Sequence, residues 1–155
     1  MAHPPKILVI YSNYYSDITD GLMAGATKVL NKAEAKVQRL EVPGVLEIPA
    51  ALAMAAQTLS EDGTAFIPTN RYDGYVLLGC VIRGETTHYE IVANESARAI
   101  MDLMCTNNLA LGNGIQTVEN HQQAKVRADI NDKDKGGAAA RAALDMIEFR
   151  NKLVR

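Results

Sequence analysis

The sequence predicts a three-layer α/β/α domain on a four-stranded parallel sheet, and three observations carry that expectation. Short β-branched runs alternate along the chain with amphipathic helical segments, the pattern of strands enclosed between two helical layers. The length of 155 residues leaves room for one ordinary domain and little for a second. No internal repeat, linker or low-complexity stretch interrupts residues 1–155, so a single domain is expected throughout.

Each element follows from local pattern. Lys6-Ile-Leu-Val-Ile-Tyr11, after Pro4-Pro5, reads as a strand buried on both faces. Past Ser12-Asn13 a helix is expected from about Asp17 to Lys32, where Ile18, Leu22, Ala26, Val29 and Leu30 recur at helical spacing. The second strand, Lys36 to Val42, stops at the Pro43-Gly44 turn. A helix then begins near Ile48-Pro49, with proline in the first turn where no hydrogen bond is lost, and Ile48, Leu52, Ala55 and Leu59 form its stripe. Residues 61–72 read as a loop longer than the fold usually carries. The third strand is Asp73 to Cys80. A long helix follows from about Thr86 to Cys105, with Tyr89, Val92, Ser96, Ala99 and Leu103 on one side. The fourth strand lies near Leu109–Gln116, interrupted by Gly112 and Gly114. One helix near Val118–Ala128 and an Ala-rich one from about Gly136 to Lys152 complete the pattern. With right-handed crossovers this order gives a flavodoxin-like arrangement. Ligands in such sheets bind beyond the carboxyl ends of the strands. That rule selects Ser12–Ser16, Pro43–Glu47, Cys80–His88 and Gly112–Asn120.

Composition narrows the partners. Lys plus Arg is 16 against 18 for Asp plus Glu, a net charge of −2, which argues against nucleic acid or an anionic membrane as a main partner. Hydrophobic residues make up 48% of the chain but aromatics only 5%, so much of the apolar content is Ala. Two cysteines, Cys80 and Cys105, are too few for a disulfide framework. The opening MAHPPKILVIYSN turns polar within one short strand, unlike a signal peptide or a membrane span. A soluble cytoplasmic domain is the expectation. No metal is expected either, because His3, His88 and His121 do not fall at ligand spacing. The calcium-loop outline of Asp129–Gly136 also fails: the closing Glu position, counted from Asp129 or Asp132, falls on Ala140 or Ala143. The sequon Asn94-Glu-Ser96 lies on an expected helix and is discounted.

Chemistry concentrates in Gly79-Cys-Val-Ile-Arg-Gly-Glu-Thr-Thr-His88. Gly84 permits a tight turn, Thr86 or Thr87 can cap the next helix, and the free N–H groups of its first turn suit a phosphate. His88 would stand in that turn, beside whatever the anion site holds, where an imidazole can move protons near neutral pH. The alternative is a capped helix with a surface histidine. Glu47 either complements a helix dipole or accepts hydrogen bonds from a polyol. Tyr14 and Tyr15 either stack on a flat heterocycle or cover the sheet edge. Arg127 offers a bidentate phosphate contact and Lys135 a mobile charge, though each alone reads as a solvated residue.

Taken together, several motifs resemble the lumazine synthase family. They are Pro43-Gly-Val-Leu-Glu-Ile-Pro49, Gly79-Cys-Val-Ile-Arg-Gly-Glu-Thr-Thr-His-Tyr89, Asn94-Glu, Gly114-Ile-Gln-Thr-Val-Glu-Asn120, Gln123-Ala-x-x-Arg127 and Lys135-Gly136. The resemblance covers nearly the whole chain in order. It implies condensation of 5-amino-6-ribitylamino-uracil with 3,4-dihydroxy-2-butanone 4-phosphate through a Schiff base, phosphate loss, tautomerisation and ring closure. The small-molecule substrates need no metal or organic cofactor. By motif position, Tyr14 would stack on the pyrimidine, while Val45, Leu46 and Glu47 would line the ring and ribityl chain. Cys80, Val81 and Ile82 would offer backbone groups to the pyrimidine edge. Glu85 and Thr86 would bind phosphate through the helix start, and His88 would carry the proton. The resemblance also implies a homopentamer with sites shared between adjacent subunits, so that Asn113, Arg127 and Lys135 reach across, Arg127 to the phosphate. Only five residues precede the first strand, which points to a simple pentamer. The Ala-rich helices would then allow close packing between subunits. Tyr14 keeps the stacking face of the family's usual Phe or Trp, whereas Leu46 and Asn113 remove two aromatic walls, worth about 1 kcal/mol each. Those altered walls are the support for a second reading, a flavin- or lumazine-binding protein without useful catalysis.

Overall fold

In the computed structural model, which describes residues 3–153, four parallel strands lie in the order β2-β1-β5-β6. The elements are β1 Lys6–Ser12, α1 Ser16–Lys32, β2 Lys36–Val42, a 3-10 turn Val45–Glu47 and α2 Ile48–Ala56. A short pair, β3 Gln57–Leu59 and β4 Phe66–Pro68, comes next. Then follow β5 Gly74–Ile82, α3 His88–Thr106, β6 Leu111–Val118, α4 His121–Ala128 and α5 Lys135–Leu153. This is the flavodoxin-like three-layer fold that the alternation predicts.

The pleat sorts the strand residues into two cores. Ile7, Val9, Val76 and Leu78 face α1, α4 and α5, meeting Ile18, Leu22, Leu30, Ala124 and Ala140. Leu8, Ile10, Tyr75 and Leu77 face α2 and α3, meeting Ile48, Leu52, Val92 and Ile100. Alternate residues pointing to opposite faces, with both faces covered, explain why the central strands read as continuous apolar runs.

Four expectations change. The α2 helix ends at Ala56 because Gln57 is extended, at φ −128° and ψ 157°, so Leu59 leaves the helical stripe and stands exposed in β3. Residues 61–72 are not a plain loop. They include β4 of an antiparallel hairpin whose turn is built on Asp62: Ser60 Oγ, Thr64 N–H and Thr64 Oγ1 all donate to its Oδ1. Those hydrogen bonds hold its carboxyl at about 2. Gly63, at φ 70°, supplies the left-handed residue of the turn.

The glycines of β6 do not interrupt it. A Cβ on Gly112 would fall 1.7 Å from the Ala139 carbonyl oxygen, so the glycine lets α5 lie directly on the strand. Val118 completes β6, and α4 starts at His121 under Asn120, whose Oδ1 accepts the Gln123 N–H at 2.9 Å. Small residues of α5 pack within the chain. Gly136, Gly137, Ala139, Ala140 and Ala143 are all buried, and a Cβ on Gly136 would fall 1.9 Å from the Leu22 carbonyl oxygen. The arm ahead of β1 is described from His3 only, and Met1 and Ala2 lie outside the described residues. Among the described residues no helix is long and apolar enough to cross a membrane.

Candidate active site

The chain reverses its direction of travel across the sheet between β1 and β5, since β2 lies on one side of β1 and β5 and β6 on the other. Such a switch point opens a crevice at the carboxyl ends of the strands. Here β1 pairs with β5 only as far as Tyr11 and Leu78, whereas β5 continues against β6 to Ile82 and Val118. The backbone of Gly79–Ile82 therefore leaves its β1-side edge open. This edge floors a cleft of about 390 Å³.

The walls come from three of the four expected segments. Tyr14 and Tyr15 stand at the end of β1, their rings edge to face at 5.0 Å. Tyr14 is 74% exposed, whereas Tyr15 is half-buried against the α1 core and lies 6.3 Å from the His121 ring. Burial pushes the Tyr15 phenol up. Gly44, Val45, Leu46 and Glu47 bring the second wall. Val45 is buried, Leu46 and Glu47 are exposed, and a Cβ on Gly44 would lie 2.8 Å from Glu47 Oε2. The third wall runs from Cys80, Val81 and Ile82 through Gly84 and Thr86 to His88. Burial pushes the Cys80 thiol up to about 12, which marks it as an apolar lining group and not a nucleophile.

The start of α3 differs from expectation in detail. The helix begins at His88, Thr87 occupies the cap position without a side-chain bond, and Thr86 Oγ1 accepts the His88 N–H at 3.3 Å. His88 is exposed and faces the cleft from the first helical residue. Glu85 is exposed and does not line the cleft.

The fourth segment is not brought to this cleft within one chain. Asn113 is exposed on β6, its Oδ1 accepting the Ile115 N–H at 3.0 Å. Arg127 is half-buried on α4 and donates from Nη1 to the Gln123 carbonyl at 3.0 Å. Lys135 is the exposed first residue of α5. Conversely, three more residues line the cleft: Tyr15, which the sequence offers with Tyr14 as a stacking ring, and Tyr89 and Val92, to which it assigns no binding role. The helical period held the signal for two of them, because Tyr89 and Val92 lie next to His88 and one turn beyond it. Among the described residues no group of three or more His, Cys, Asp or Glu side chains is placed to hold a metal ion.

An open parallel sheet with an apolar cleft at its switch point and a helix start on one wall defines a small-molecule α/β protein suited to an anionic ligand. The profile of the 6,7-dimethyl-8-ribityllumazine synthase family matches residues 4–151. The chain is 52% identical over 149 residues to the 6,7-dimethyl-8-ribityllumazine synthase of Agrobacterium fabrum, covering 96% of this chain and 97% of the relative. It is 53% identical over 150 residues to 6,7-dimethyl-8-ribityllumazine synthase 1 of Rhizobium meliloti, covering 97% and 94%. The enzyme of Novosphingobium aromaticivorans is 51% identical over 147 residues, covering 95% and 97%. The chain belongs to the 6,7-dimethyl-8-ribityllumazine synthase family, transferases of riboflavin biosynthesis.

Proposed function

We propose that this cleft condenses 5-amino-6-ribitylamino-uracil with 3,4-dihydroxy-2-butanone 4-phosphate, forming 6,7-dimethyl-8-ribityllumazine and releasing inorganic phosphate and water. The open backbone edge of Gly79–Ile82, facing the same cleft as His88 and the start of α3, carries this reading. An unpaired strand edge offers alternating donors and acceptors to a planar heterocycle, as it would to another strand. Tyr14 stacks on the pyrimidine, Val45 and Leu46 line it, and Glu47 accepts hydrogen bonds from the ribityl hydroxyls. The first turn of α3, with Glu85 and Thr86 before it, receives the phosphate ester. The pyrimidine amine attacks the ketone carbonyl and water leaves to give the imine. Phosphate departs, the product tautomerises, and ring closure expels the second water. His88 moves protons in these steps, while holding two substrates together supplies the larger part of the acceleration.

The assembly is a homopentamer in which Asn113, Arg127 and Lys135 complete the neighbouring site. Support comes from their positions outside their own chain's cleft and from apolar side chains left exposed on the α2 and α3 side, Leu46, Met54, Ile91 and Met101 among them. The two free thiols fit a reducing cytoplasm.

Mixing purified protein with both substrates and following lumazine fluorescence tests the activity. His88→Ala is expected to cut turnover about 100-fold while pyrimidine affinity stays intact. An unchanged single-turnover rate removes His88 from the mechanism. Light scattering tests the assembly, with a sixty-subunit mass overturning the simple pentamer.

A further inference from the structure

Arg83 follows β5 directly and roots the turn that leads to His88. It does not line the cleft, yet its side chain is held from three directions. Its Nε donates to Glu119 Oε2 at 2.7 Å, at the junction of β6 and α4. Its Nη1 donates to Glu90 Oε1 in the first turn of α3. Its guanidinium carbon lies 4.1 Å from the centre of the Tyr89 ring, a cation held over an aromatic face. The backbone N–H of Arg83 adds a bond to the Val118 carbonyl at 3.0 Å.

The turn itself has little else to hold it. Gly84, Glu85, Thr86 and Thr87 are exposed, and a Cβ on Gly84 would meet nothing within 4 Å. Its side-chain hydrogen bonding is the long contact between Thr86 Oγ1 and the His88 N–H. The rigid flanks, β6 and α3, are thus joined through one fork-shaped guanidinium, and the turn hangs between them. A lysine ammonium has no such fork.

We infer that Arg83 is a positioning residue that fixes the start of α3, and with it His88, relative to the open edge of β5. This rests on the site reading above, in which the pyrimidine lies on that edge and the phosphate ester at the helix start. Arg83 then sets the spacing between the two bound substrates without touching either. Ion pairs this exposed contribute little to folding stability, so substitution acts on geometry before it acts on the fold.

The test uses the intact assembly, both substrates and the fluorescence assay, comparing Arg83→Met, Arg83→Lys, His88→Ala and the Arg83→Met/His88→Ala pair. Arg83→Met is expected to lower the single-turnover rate and raise KM for the ketone phosphate, each about tenfold, with KM for the pyrimidine within about twofold. Arg83→Lys falls between wild type and Arg83→Met. In the His88→Ala background Arg83→Met slows the rate by less than about twofold, because both changes remove the same placement. Equal effects on the two KM values, or losses that multiply fully in the double variant, overturn the inference. If His88→Ala alone leaves the rate unchanged, the site reading fails instead. Glu119→Gln, which keeps the shape and weakens one arm, raises KM for the ketone phosphate by about threefold, and no change there also overturns the role of Arg83.

Discussion

On one side of the sheet α5 lies so close to β6 that a side chain at Gly112 would fall 1.7 Å from the Ala139 carbonyl. On the other side α2 and α3 leave Met54 75% exposed and Met101 55% exposed. The first layer is closed against β6 by glycine and alanine, which let backbones touch, and its exposed apolar side chains, Phe149 and Leu153, lie toward the end of α5. The second layer covers the sheet but leaves apolar side chains of its own uncovered. The cleft opens on this second side, where Val45, Val81 and Val92 belong to the core shared with α2 and α3. Binding geometry is therefore built on the open layer, supported from behind by a layer with no slack where α5 meets β6.

The largest expected effect breaks the closed layer. Gly112→Val places branched carbons where the Ala139 carbonyl stands, and loss of at least about 3 kcal/mol of stability is expected, seen as insoluble protein or a large fall in melting temperature. A melting curve like wild type would show that the layer has slack after all. Next comes Arg127→Ala, expected to raise KM for the ketone phosphate about tenfold with the pyrimidine KM unchanged, in steady-state fluorescence kinetics. Equal effects on both substrates would remove Arg127 from the phosphate. Met101→Glu, on the open layer, is expected to change subunit stability by no more than about 0.5 kcal/mol yet lower the assembly mass in light scattering. An unchanged mass would separate the exposed α3 face from assembly.

A last effect concerns pH and the buried thiol. Burial raises the folded-state value of Cys80 from 9.0 to about 12, so the neutral form is favoured on folding. Its contribution is fully present below about pH 9 and is lost as pH rises toward 12. Alkaline denaturation of wild type and Cys80→Ala, followed by circular dichroism, should converge across that window. Parallel curves would mean the thiol ionises as freely folded as unfolded.

Much of the fold was legible because period and burial agree. Ile18, Leu22, Ala26 and Leu30 recur at helical spacing and are buried on α1, and Ile7–Ile10 is apolar because both faces of β1 are covered. The hairpin at 57–68 escaped because Leu59 fits the α2 stripe by spacing while its side chain stays in solvent. The Asp62-Gly63 pair was the available signal. Glycines at 112 and 114 read as breaks because sequence alone does not disclose that a helix backbone fills the space of their side chains. At the site, the segments after β1, β2 and β5 were legible from the strand-end rule. Arg83 stands inside the motif after β5, but its positioning role was not legible, because its partners Glu90 and Glu119 come from separate elements.

The sheet order has a consequence for the order in which the chain acquires its structure. β1 pairs with β2 soon after both exist, but its other partner is β5, and the tie between Lys6 and Asp73 spans 67 residues. During synthesis the unit of β1, α1 and β2 can assemble while the inner edge of β1 still lacks its neighbour. That edge belongs to Ile7-Leu-Val-Ile10, an uncharged run without proline, the composition most prone to pairing with another chain. Non-local parallel pairing is slow for entropic reasons, and α2 and the hairpin must both emerge before it can begin. The interval between β2 and β5 is accordingly the stretch of translation in which the nascent chain is most vulnerable to aggregation.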